Sequence, residues 1–309
     1  MSSYILSLHD RIRTLGTPAL VGLDPRWDLL PDEVRCQAAA AGGSGVEIQA
    51  RAFEAFCCRL IDVIADLVPA VKPQVAFFER LGPAGMVSVQ NVIRYARNRQ
   101  LMVIADAKRG DIGSTATAYA DAWMAGADPN GAVFAANAVT VNAYMGVDTL
   151  QPFVDAAVQR QAGVYVLVRT SNPGAGDFQD LETHGQPLYA TVADAVQQLN
   201  SEHWPNQAYG SIGAVVGATW PEQLRQLRRR MPSAPLLVPG FGSQGGTAAD
   251  VVGAFAADGS GALINSSRDI NFAWHRRQSS EQFGEARWED AVLAATQEMI
   301  SALKGAAVD

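Results

Sequence analysis

The chain has 309 residues, a net charge of −7 and 48% hydrophobic residues, a globular composition with ample material for a core. The mild acidity argues against a nucleic-acid binder, which would carry a basic face. No apolar run has the length of a membrane span, and the charged residues His9, Asp10, Arg11 and Arg13 interrupt any signal-peptide core. The cysteines are Cys36, Cys57 and Cys58, an odd count with two adjacent. That is neither a disulfide framework nor a zinc spacing, and the expected setting is a reducing cytoplasm.

Residues 3–15 open the chain with an amphipathic helix, Ile5, Leu8, Ile12 and Leu15 falling on one stripe. Short apolar runs and longer helical patterns then alternate. The runs cover residues 19–23, 71–77, 101–105, 138–141, 163–168, 212–216, 236–238 and 262–264. Helical stretches follow at about 48–67, 84–99, 114–126, 147–161, 187–200, 221–230, 247–257 and 288–304. Continuous apolar strands separated by helices imply a parallel sheet covered on both faces. Eight such units predict a (β/α)8 TIM barrel, a single α/β domain over about residues 19–304 with the extra helix before it. A doubly wound sheet competes, but no Gly-x-Gly-x-x-Gly fingerprint follows the first run. Residues 38–45 read as a flexible surface loop. The long segments 172–186 and 268–287 follow the fifth and eighth strands and are expected to act as lids over the catalytic face.

The third run ends in charge, at Asp106-Ala107-Lys108-Arg109-Gly110-Asp111. Positions i and i+2 share a strand face, so Asp106 and Lys108 point the same way, while Asp111 lies in a glycine-flanked turn. Carboxylates beside an ammonium hold it in its charged form. That suits proton delivery and opposes Schiff-base chemistry, which needs a neutral lysine. A structural salt-bridge cluster is the plainer reading of these residues alone, and the rest of the chain has to decide.

In a barrel the C-terminal strand ends converge on one pocket. The polar residues expected there include Asp24, Lys72, Thr140, Asn142, Thr170, Ser171 and Asn172, with Thr140 and Asn142 given no role. Lys72 sits amid Ala70, Val71 and Val75, where an unpaired charge is costly to bury. The stretch 239–246 has four glycines in eight residues, and Thr247 follows as a plausible N-cap. Free N–H groups at such a helix start bind phosphate. Ser266, Ser267 and Arg268, after the eighth run, could clamp the same group.

The segment from Asp106 through Asp111 to Ile112-Gly113-Ser114-Thr115 resembles the signature of the orotidine 5′-phosphate decarboxylase family. Leu23-Asp24, Thr170-Ser171-Asn172-Pro173-Gly174 and the stretch 239–246 match it in the same order. Val139-Thr140-Val141-Asn142-Ala143-Tyr144-Met145-Gly146 is similar to the longer-chain, type 2 branch. The resemblance implies conversion of orotidine 5′-phosphate to UMP and CO2 in pyrimidine biosynthesis, with no metal and no organic cofactor. Lys108 would protonate C6 of the pyrimidine and Asp106 would hold Lys108 in place. In a homodimer with shared sites, Asp111, Ile112 and Thr115 would reach the partner's site. Asp24 and Lys72 would contact the ribose, Ser171 would read the pyrimidine, and Gln244 and Arg268 would bind phosphate. Ser267 departs from the glycine that many relatives have before the arginine.

Three rivals remain at this point. A metal-dependent sugar-phosphate decarboxylase or aldolase would need a second acid beside Asp106, and Lys72 stands where that acid belongs; Glu79 is the nearest substitute. A Schiff-base aldolase is opposed by the carboxylates around Lys108. A catalytically dead phosphate-binding barrel would keep expensive buried charges without using them.

Overall fold

The computed structural model describes residues 3–242 and 245–306. Ten strands occur among them: β1 (Ala19–Leu23), β2 (Ala70–Pro73), β3 (Met102–Arg109), β4 (Ala138–Val141), β5 (Gly163–Arg169), β6 (Glu182–Thr183), β7 (Gln186–Pro187), β8 (Ile212–Val216), β9 (Leu236–Pro239) and β10 (Ala262–Ser266). Eight close into a parallel barrel, β1-β2-β3-β4-β5-β8-β9-β10 and back to β1; β6 and β7 form a separate antiparallel hairpin.

The period-2 alternation of each strand builds two cores. Outward residues such as Val21, Val71, Val103, Val139, Val164 and Ile264 are buried against the surrounding helices. Inward residues Leu20, Ala70, Ile104, Ala138, Leu237 and Leu263 fill the lower barrel. The helix Tyr4–Leu15 closes that lower end, burying Tyr4, Ile5 and Leu8 against the same cluster. The Tyr4 and Tyr165 hydroxyls hydrogen-bond to each other at 3.0 Å. Gly163 makes room for this stopper, since a Cβ there would lie 2.5 Å from the Tyr4 ring. Two residues further up the strands, the inward positions turn polar: Lys72 follows Ala70, Asp106 follows Ile104, Thr140 follows Ala138 and Asn265 follows Leu263.

Several expected elements differ. The run 71–77 is strand only to Pro73, after which Val75–Glu79 forms a short helix. Pro73 lacks the N–H that would continue the ladder. The third strand continues through its charged residues to Arg109. The predicted loop at 38–45 is helical in its first part, because the helix Asp32–Ala40 runs through the alanines, the best helix formers. That helix was not expected at all. The helix expected at 247–257 is one short turn, Ala248–Val251, followed by a 3-10 turn. The segments 172–186 and 268–287 are mostly short helical turns plus the β6–β7 hairpin. Among the described residues no helix is long and apolar enough to cross a membrane, and all three cysteines are free.

Candidate active site

The site begins with an irregularity in β3. Between the pairs Ala105–Val139 and Arg109–Val141, β3 advances four residues while β4 advances two. The surplus bulges toward the barrel axis, and Lys108 takes a left-handed backbone conformation with φ 48°. For a residue with a side chain that conformation carries strain, which the surroundings must hold. Thr140, alone opposite the bulge, does so. Its Oγ1 accepts the Lys108 backbone N–H at 2.9 Å and donates to Asp106 Oδ1 at 3.0 Å.

Asp106 is the centre of the site. Its Oδ1 also accepts from Lys108 Nζ at 2.6 Å, and its Oδ2 accepts from Lys72 Nζ at 2.6 Å and Gln74 Nε2 at 3.0 Å. Burial alone would push this carboxyl up. The ammonium groups of Lys72 and Lys108 and their hydrogen bonds outweigh burial and hold it well below the usual carboxylate range. Lys72 is the reciprocal case. Burial pulls its pKa down, but Asp106 and Asp24 together raise it above the ordinary lysine value. The two lysines differ in access: the Lys72 side chain is 6% exposed and that of Lys108 45%.

Asp24 completes an acid–base alternation across the barrel mouth. Burial raises its pKa, and Lys72 and the Ser267 hydroxyl offset only part of the effect. Its backbone N–H is held at 2.9 Å by Asn271 Oδ1, whose amide also donates to the Gly22 carbonyl at 2.6 Å. Its Oδ1 is buried with no hydrogen-bond partner, as is Asn265 Oδ1. Both residues line the cavity of about 260 Å³ that contains Lys72, Asp106, Lys108 and Ser171. A narrower cleft of about 90 Å³ adjoins it, sharing Asp24, Asn265 and Ser267 and carrying Arg268 at its far side. Charged pocket and exposed arginine are thus two ends of one continuous depression.

The structure therefore brings together Asp24, Lys72, Asp106, Lys108 and Ser171, with Arg268 next door. It does not bring in Asp111, whose Oδ1 accepts the Ile112 N–H at 2.8 Å, nor the exposed Ile112 and Thr115. Gln244 lies outside the described residues. Three N–H groups of the glycine-rich stretch are engaged within it: Gly242 donates to the Gly246 carbonyl at 2.8 Å, Gly245 to the Gly242 carbonyl at 2.7 Å and Gly246 to the Gly240 carbonyl at 3.1 Å. Thr247 does cap the helix, in a box closed by Asp250. Residues given no role by sequence are Gln74, Thr140, Asn265 and Asn271. Gln74 and Asn265 lie two positions from Lys72 and Ser267, so the strand period was the signal for both. Glu79, the acid a metal-dependent reading would need, is salt-bridged to Arg109 and is absent from the cavity wall.

A closed parallel barrel with its charged cluster at the C-terminal strand ends is the architecture of the (β/α)8-barrel enzymes. Within that class, the chain belongs to the orotidine 5′-phosphate decarboxylase / HUMPS family, whose profile matches residues 20–283. It is 50% identical over 305 residues to an orotidine 5′-phosphate decarboxylase of Rhodopirellula baltica, covering 99% of this chain and 100% of the relative. It is 40% identical over 267 residues to one from Haloarcula marismortui, 86% of each chain. Among solved structures, the OMP decarboxylase of Leishmania donovani superposes with a TM-score of 0.76 at 31% identity, covering 100% of both chains. These bear out the barrel and the family resemblance, and they favour the decarboxylase over the sugar-phosphate rival.

The geometry makes Asp106 structural as well as chemical. Asp106→Asn leaves the Lys72 ammonium buried without a full counter-charge and is expected to cost about 3–5 kcal/mol of stability at pH 7. Because the folded-state pKa of Asp106 is depressed, its contribution is present above the unfolded value near pH 4 and is lost as pH falls through the folded value. Urea unfolding of both proteins checks this. A difference below about 1 kcal/mol at pH 7, or a gap that widens in acid, contradicts the assignment.

Proposed function

We propose that this chain decarboxylates orotidine 5′-phosphate to UMP and CO2, without metal or organic cofactor, and that Lys108 is the proton donor. The observation that carries the reading is the unequal pair of lysines on Asp106. Lys72 is sealed in and balances charge, while Lys108 shares the same carboxylate and is open to a ligand in the cavity. The C6–carboxylate bond breaks, CO2 departs, and the electron pair left on C6 takes a proton from Lys108 Nζ. A fixed ammonium stabilises that developing carbanion before the proton moves. Asp24 and Lys72 are assigned to the ribose and Ser171 to the pyrimidine, which is supported by all three lining the cavity and by Asp24 also lining the adjoining cleft that holds Arg268. Arg268 and Gln244 serve the phosphate, whose binding energy helps order the charges around C6.

The direct test is loss of orotidine 5′-phosphate absorbance on adding protein, repeated after EDTA treatment and dialysis. Wild type is expected to be active in both, and Lys108→Ala to lose roughly four orders of magnitude in turnover, the larger end of what positioned proton transfer with electrostatic stabilisation supplies. Wild-type-like turnover by Lys108→Ala removes the role given to Lys108. Activity that vanishes with EDTA and returns with Mg2+ hands the reading to the sugar-phosphate class.

Arg268→Ala removes a charge-assisted contact of about 1.5–3 kcal/mol. It is expected to impair the phosphorylated substrate and to leave the slow reaction of orotidine itself nearly unchanged. Equal damage to both would place Arg268 outside phosphate binding.

A homodimer with shared sites is the assembly we infer. Two features support it. Asp111 lies outside its own cavity, and Ile112, Tyr144, Met145 and Val147 present large apolar side chains to solvent on the adjoining loops after β3 and β4. Asp111 and its neighbours Ile112 and Thr115 then complete the partner's pocket across a two-fold axis. Lys108→Ala and Asp111→Ala homodimers are each expected to be nearly inactive. Refolded together in equal amounts, they should regain roughly a quarter of wild-type sites, because half the dimers are mixed and each mixed dimer has one intact pocket. No recovery, with mixed dimers confirmed by mass, rules out sharing.

A further inference from the structure

The end of β5 carries a buried arginine that the proposed reaction does not use. Leu167 pairs with Val215 and Arg169 with Val216, so β5 has one residue too many and Arg169 turns away from the barrel axis. Its side chain is 1% exposed. The guanidinium lies 4.3 Å from the Trp220 ring centre, and donates to Gln179 Oε1 at 3.3 Å and Asp180 Oδ2 at 3.1 Å. A charge buried that deeply is costly unless each partner is well placed.

Its contacts converge on the next two residues of the chain. Gln179 Oε1 accepts the Thr170 backbone N–H at 3.0 Å, and Gln179 Nε2 donates to Thr170 Oγ1 at 2.8 Å. From the opposite side, Trp220 Nε1 donates to the Thr170 carbonyl at 3.0 Å and Thr219 Oγ1 to the Ser171 carbonyl at 3.3 Å. Gly217 is packed so closely that a Cβ there would stand 2.8 Å from Ser171 Cα. Thr170 and Ser171 are thereby clamped between the segment after β5 and the turn after β8, and both line the site cavity.

We propose that Arg169 and Gln179 are positioning residues that set Thr170 and Ser171 for the pyrimidine base of the nucleotide. The proposal rests on the decarboxylase reading above. It ties the segment after β5 to recognition of the base, and leaves the sugar and phosphate to Asp24, Lys72 and Arg268. The test is calorimetric titration of the full-length protein with UMP and, separately, with ribose 5-phosphate, which has no base. Gln179→Ala is expected to weaken UMP about five- to tenfold, the loss of one or two net hydrogen bonds, and to leave ribose 5-phosphate within about twofold. Gln179→Glu keeps the acceptor for Thr170 and Arg169 and is expected to recover most of the loss. Arg169→Lys, which keeps the charge but not the fork, should show the same split between the two ligands. Unchanged UMP affinity in Gln179→Ala, or equal losses for both ligands, overturns the proposal. Wild-type turnover of orotidine 5′-phosphate is measured alongside. An inactive wild type defeats the decarboxylase reading, whereas an active wild type with unsplit affinities defeats only this one.

Discussion

One carboxylate gripped by two ammonium groups is the interaction on which the upper barrel depends. Asp106 is buried deeply enough that water cannot stabilise its charge, and two lysines, a glutamine and a threonine replace that water. Those donors come from β2 and the residue just past its end, from β3 and from β4, so the bond set ties the relative heights of the three strands. The bulge in β3 and the strained backbone at Lys108 persist because Thr140 and Asp106 hold both the N–H and the ammonium of that residue. Without the carboxylate, the same two lysines would repel each other in a low-dielectric wall.

The charged layer also has a balance of its own. Asp24 and Asp106 set two negative charges against Lys72 and Lys108, so the quartet is formally neutral. A doubly charged phosphate would gain little from it. On the proposed reading the attraction comes from the arginines that line the adjoining cleft, Arg268 and beside it Arg26. Under the proposed function, binding and reaction are separated in space: the cleft arginines face the distal anion, and the balanced quartet faces charge that develops only during reaction. Electrostatic stabilisation is most useful where it favours the transition state over the bound substrate.

Much of this was legible in the sequence because barrels write their architecture in periods. The runs at residues 19–23, 138–141 and 212–216 coincide with β1, β4 and β8, being continuous apolar stretches that only a doubly covered parallel strand explains. The pairing of Asp106 with Lys108 followed from strand alternation alone. What escaped depends on contacts between distant segments. Thr140 stood in view without a role, since nothing near it in the chain says that a bulge lies opposite. Asn271 supports Asp24 from 247 residues away. In the glycine-rich loop the N–H groups of Gly242, Gly245 and Gly246 go to the loop's own carbonyls, which composition cannot reveal.

The stopper at the lower end of the barrel gives the site a direction. Tyr4, Ile5 and Leu8 seal the interior from below, and the inward layer of Leu20, Ile104 and Leu237 lies between them and the charges. The cavity is a blind well with a single mouth. Field lines from its charges cannot spread downward into solvent and are channelled upward through the opening. Traffic is constrained in the same way: a ligand, the water it displaces and any gas it releases all pass one rim, in sequence. The first helix of the chain touches no charged residue of the site, yet it makes the well one-ended.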